Sequence, residues 1–158
     1  MQENHAELVQ RYKSGANWFY WIAGLSLITS IISVGGGDWR FLISLGTTQV
    51  IDGLADALSA EIGSAPKVIG LVLDVILTAI FVLFGVLANK RHLWAYILGM
   101  VAFVVDGLVS LVIQDMIGVI AHVVVLVFMI PGFMAGRKLE ELEQAMAAEA
   151  QTSAPTSM

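Results

Sequence analysis

Four long apolar runs divide this chain, at approximately Asn17–Val34, Val68–Leu87, Leu93–Ile113 and Ile117–Gly136. Each approaches the roughly 20 helical residues that cross a hydrocarbon core of about 30 Å. Between the first two runs, Val50, Leu54, Ala57 and Leu58 recur at helical spacing, with Gln49, Asp52 and Asp56 on another face. That pattern predicts an amphipathic helix lying on, or dipping into, the outer surface. Gly35-Gly36-Gly37 breaks the first run, and Ser64-Ala65-Pro66 introduces the second. A fifth span in segment 35–67 would submerge Gln49, Asp52 and Asp56 and invert every later loop. The predicted fold is therefore an all-α integral membrane protein. It has four transmembrane helices in an antiparallel bundle and an extra amphipathic helix on the outer face.

The flanks complete the organisation. Residues 1–16 predict a cytoplasmic N-terminal helix, with Glu7 and Arg11 at i,i+4 and Leu8, Val9 and Tyr12 available to the membrane surface. Residues 17–136 form the transmembrane domain. Residues 137–158 predict a cytoplasmic extension of the fourth helix, ending in a polar, disordered tail over Gln151–Met158. Arg11 and Lys13 before an apolar run, with Ser33-Val34-Gly35 after it, resemble a signal peptide. The run is too long and begins with too many aromatics for that reading, so a retained first helix is expected. No internal repeat is present, which argues against an inverted-repeat transporter.

Charge sets the orientation. Arg11, Lys13, Lys90, Arg91, Arg137 and Lys138 fall on one side, and only Arg40 and Lys67 on the other. This bias predicts cytoplasmic termini in a bacterial-type plasma membrane. Trp18, Tyr20, Trp21, Trp94 and Tyr96 then sit at the inner interface and Trp39 at the outer one, as an aromatic belt requires. Composition agrees: 58 % apolar and 13 % charged, with a mean hydropathy of +0.82. The net charge of −5 carries no basic stripe, which argues against a nucleic-acid partner; the lipid bilayer is the expected one. Cysteine is absent, so disulfides, thiolate metal sites and Cys nucleophiles are excluded. There is no P-loop, dinucleotide fingerprint or nucleophile elbow.

Against this background three ionisable residues stand out: Asp74, Asp106 and His122, each inside a span. A carboxylate at the centre of a membrane helix costs about 2.5–3.5 kcal/mol on insertion scales, so such residues mark sites by default. At 1.5 Å per residue, all three lie roughly 8–10 Å beneath the outer interface. The turn at Gln114-Asp115-Met116 makes the third and fourth spans neighbours, bringing Asp106 and His122 to one height. Each lies on a stripe of small or polar residues at helical spacing. The stripes are Gly70, Asp74, Thr78, Phe81, Gly85; Gly99, Ala102, Asp106, Ser110; and Gly118, His122, Val125, Gly132, Gly136, with a gap at Met129. The first span adds Ala23, Ser26 and Ser30. Such stripes point inward, because small residues allow close approach and polar ones bridge helices.

The expected site is an outer-leaflet cluster of Asp74, Asp106 and His122, with Ser30, Thr78 and Ser110 around it and Gln49 or Asp52 as an outer lid. Two carboxylates close together in low dielectric do not both ionise cheaply, and an imidazole can take up charge beside them. Proton or cation binding is the expected function, serving transport as an oligomer. Asp, Asp and His also suit a divalent metal such as Zn²⁺ or Mn²⁺, which would make an intramembrane metallohydrolase. The plainer expectation is an accessory or scaffolding subunit whose polar groups only bridge helices, at about 0.6 kcal/mol each. In size and helix number the chain resembles the small multidrug-resistance transporters, four-helix proteins that work as dimers. Their membrane-embedded carboxylate lies in the first helix, where this chain has no acid, and the long outer segment has no counterpart there.

Overall fold

The structure is a computed structural model that describes residues 2–34 and 45–153. The expected break at Gly35-Gly36-Gly37 and the expected positions of Trp39 and Arg40 lie outside the described residues. Every regular element among those residues is helical: α1 (Gln2–Ala16), α2 (Trp18–Val34), α3 (Gly46–Ile62), α4 (Ala65–Asn89), α5 (Leu93–Val112) and α6 (Met116–Ser153). Four stretches are long and apolar enough to cross a membrane: His5–Ile32, Ala65–Asn89, Leu93–Val112 and Met116–Thr152.

Two short reversals join α4 to α5 and α5 to α6. Arg91 and Gln114 adopt the left-handed conformation there, with φ of 71° and 60°. In each case the helix end is closed by paired bonds. His92 N–H donates to the Leu87 carbonyl and Arg91 N–H to that of Ala88, and Asp115 and Gln114 repeat the pattern on Ser110 and Leu111. These bonds satisfy carbonyls that a helix C-terminus otherwise leaves open. Neither reversal uses glycine.

Side-chain pairs then set the packing. Phe19 and Tyr20 of α2 lie against Gly85 of α4. Phe81 and Phe84 of α4 meet Phe103 and Gly99 of α5, and Tyr96 of α5 reaches Met129 of α6. The buried residues of α4 are Pro66, Gly70, Asp74, Thr78, Phe81, Gly85 and Ala88, which contain the whole stripe read from the sequence. On α5, Phe103 is buried next to Ala102, and on α6 Met129 fills the gap in the stripe. Large aliphatic residues on the outward faces, such as Ile76, Val101, Val105 and Ile120, are exposed as a lipid-contacting surface requires.

The faces of α1 differ from expectation. Tyr12 is buried, and Leu8 and Val9 pack against the core rather than lying open to a membrane surface. The reason is the length of α6. It offers Ala135 and Gly136 at the end of the apolar run, and Leu139 beyond it, to α1. The two helices touch closely enough that a Cβ on Gly132 would stand 2.8 Å from the Gly15 Cα. Helix α6 also runs through Gln151–Ser153, the start of the tail expected to be disordered; residues 154–158 lie outside the described residues.

Candidate functional site

Helix α3 begins inside the bundle, and this shapes the site. A helix start exposes N–H groups with no partner inside the helix, and buried ones must find acceptors elsewhere. The residue preceding α3, Leu45, provides no side-chain cap. Instead, Asp106 of α5 supplies one. Its Oδ2 accepts from the Gly46 N–H at 2.6 Å, and its Oδ1 accepts from the Thr47 N–H at 2.9 Å and the Thr47 hydroxyl at 2.6 Å. Leu45 N–H donates to Ser26 Oγ at 2.9 Å, and the Thr48 hydroxyl donates to the Leu45 carbonyl at 2.7 Å. A carboxylate here also meets the positive end of the helix dipole. Gly46 is needed for this approach: a Cβ would collide with Ser110 Oγ and lie 2.9 Å from the Asp106 carbonyl.

His122 completes the group from α6. Its Nδ1 lies 2.7 Å from the Gly118 carbonyl, and its Nε2 lies 3.0 Å from Asp106 Oδ2. A carbonyl only accepts, so Nδ1 carries a hydrogen. A carboxylate oxygen faces Nε2, so another proton must lie between them. Because Oδ2 also accepts from Gly46, a carboxylate paired with an imidazolium satisfies every bond. Both side chains are about 95 % buried. The imidazole stacks on Phe103 at 4.3 Å and rests against Gly107.

Asp74 stands in a different group. It is fully buried, and no hydrogen bond of standard geometry reaches either carboxylate oxygen. Ser30 of α2 and Asp52 of α3 are its polar neighbours. Thr78 follows one turn later on the same face, and the Ser30 and Thr78 hydroxyls also lack partners among the described residues. Gln49, one of the two expected lid residues, donates to Asp115 Oδ2 at 3.0 Å, in the α5–α6 reversal. Asp115 in turn accepts from the Gly118 N–H at 3.0 Å.

The structure therefore brings Asp106 and His122 together, as the short turn between their helices demanded, and places Asp74 elsewhere. Ser110 touches the Asp106 carbonyl rather than its carboxylate. Helix α3 separates the two groups: it meets Asp106 at residues 46 and 47 and Asp74 at residue 52, about 8 Å further along its axis. No group of three His, Asp or Glu side chains among the described residues could hold a metal ion, and the proposed Asp74, Asp106 and His122 ligand set is not formed. The physical reason is occupancy. The Asp106 oxygens and both His122 nitrogens are already committed to α3, to Gly118 and to each other.

Sequence reasoning missed Gly46 and Thr47. A signal was present: Gly46-Thr47-Thr48 opens a helical pattern with small and hydroxyl residues but no acidic cap, leaving a helix start in need of a distant carboxylate. Comparison with protein-family models, with curated proteins and with solved structures finds no match for this chain.

Proposed function

We propose that the chain is a small polytopic membrane protein that holds a proton in a buried Asp106–His122 pair. The spans form an antiparallel bundle, with α3 an amphipathic helix that dips in from the outer side. The six-to-two distribution of basic residues supports cytoplasmic termini in a plasma membrane of bacterial type. One observation carries the reading: both ring nitrogens of His122 face acceptors, which a neutral imidazole beside a carboxylate does not satisfy. One bundle of this size encloses little space, so a route for transport would be completed by a second copy.

Nitrogen NMR of histidine-labelled protein in bilayers tests this. Both His122 nitrogens are expected to be protonated at neutral pH, and that signature is lost in Asp106→Asn. A neutral His122 in the unaltered protein would overturn it. A second reading, an accessory or scaffolding subunit, has support in the cap itself, because the bonds that hold the proton also fix α3. Co-purification with a partner after mild solubilisation would favour it, and a stable isolated monomer would count against it.

A further inference from the structure

Among the described residues, the polar group around Asp74 lacks what the Asp106 group has, a hydrogen-bonded partner for its carboxylate. Asp74 and Ser30 are fully inaccessible to solvent, and Thr78 is 6 % exposed. Their four side-chain oxygens come from α2 and α4, none makes a hydrogen bond of standard geometry, and α3 brings Asp52 alongside. An isolated carboxylate in such a place is costly, because burial removes the water that would solvate it. Among the described residues no basic side chain partners Asp74. Lys67, the nearest cation on α4, is engaged by Asp56 at 2.9 Å, and His122 is engaged by Asp106 at 3.0 Å.

We propose that Asp74, Ser30, Thr78 and Asp52 form a second buried site that takes a small, hard monovalent cation of the size of sodium. The donor set decides the class. Carboxylate and hydroxyl oxygens favour hard cations, and no imidazole or sulfur is present to draw a transition metal. Calcium takes six to eight oxygen ligands and magnesium keeps much of its water, so neither suits so small a dry set. A single positive charge neutralises the fully buried Asp74 carboxylate, Asp52 being only half-buried and within reach of solvent, and the Ser30 and Thr78 oxygens contribute lone pairs while their hydrogens turn away. Asp52, on α3 rather than on a span of its own, is the ligand that gives the site an exit toward the outer face. The proposal uses nothing of the Asp106–His122 pair, so either can fail alone.

Binding of ²²Na⁺ to the purified full chain in lipid nanodiscs, in choline buffer, tests the site. Saturable binding of one ion per chain is expected, with potassium a weaker competitor. Asp74→Asn should weaken binding at least tenfold, and Ser30→Ala, which removes one neutral ligand, by a smaller factor. Sodium should also raise the thermal midpoint of the unaltered protein and of Ser30→Ala, which keeps the test usable if Asp74→Asn does not fold. Absence of saturable binding would overturn the proposal, as would binding that both variants retain in full. An infrared band of a protonated carboxyl that disappears in Asp74→Asn, yet persists in the unaltered protein at saturating sodium, would also overturn it, with a bound proton as the occupant. The His122 nitrogen signature is unaffected in every case and reports the other pair separately.

Discussion

The two ends of the bundle are held by different means. At the α1 end, aromatic and glycine residues fit by shape: Tyr96 packs tilted against Tyr12 and edge-on against Phe19, and Gly15 meets Gly132. A buried polar bond lies there, from the Tyr96 hydroxyl to the Met129 carbonyl at 2.8 Å, two residues before Pro131. At the α3 end, the joints are hydrogen bonds, from Leu45 to Ser26, from Gly46 and Thr47 to Asp106, and from His122 to Asp106. Within a bilayer there is no hydrophobic drive between helices, so packing and hydrogen bonding are the two resources available. This chain uses one at each end. The shape-fitted end uses no carboxylate, whereas the bonded end is built around Asp106.

Substitutions at each end sharpen that contrast. Asp106→Ala should have the largest effect, because it strips Gly46, Thr47 and His122 of their shared partner and leaves His122 buried without a carboxylate. A loss of about 3 kcal/mol or more is expected in reversible unfolding from mixed micelles, and a loss below that of Tyr96→Phe would break the comparison. Next come paired glycine substitutions, one at each end. Gly132→Ala would press on Gly15 and Tyr96, and Gly46→Ala on Ser110 and the α5 backbone. Each should cost about 1–3 kcal/mol, as overpacking does. Only Gly46→Ala should also disturb the His122 nitrogen signal, since it alone displaces a partner of Asp106.

Tyr96→Phe keeps the ring stack and removes one bond, so about 1 kcal/mol is expected in the same unfolding assay. The smallest effect belongs to Glu143→Gln. Glu143 receives Arg91 at 3.0 Å and His5 at 3.4 Å, all three being at least partly exposed. Such pairs contribute less than about 1 kcal/mol, and that contribution should vanish in high salt. Salt sensitivity at Asp106 comparable to that at Glu143 would show that the α3 end is wetter than its burial implies.

How far these features are legible beforehand depends on which force sets them. The buried stripe of α4 follows from residue size and helical spacing, so Gly70, Asp74, Thr78, Phe81 and Gly85 can be read from order alone. The meeting of Asp106 and His122 is equally legible, because a short reversal leaves antiparallel neighbours no choice of register. The position of Asp74 is not. Shared depth and inward facing are satisfied on more than one side of a helix bundle, and only the path of α3 decides which carboxylate meets its N-terminus. The burial of Leu8, Val9 and Tyr12 was hidden for a related reason. An amphipathic helix face fits a lipid surface and a protein surface equally well until the length of α6 supplies the partner.

By itself the order of residues determined four apolar crossings, the spacing of their inward faces and the presence of ionisable groups where they are costly. These follow from hydrophobic transfer and helix geometry, which act along the chain. The tertiary structure alone decided that Asp106 caps α3 and meets His122, and that Asp74 keeps company with Ser30 and Asp52. Those outcomes depend on where a buried helix terminus finds its acceptor, a choice among residues up to 60 positions apart that no local pattern encodes.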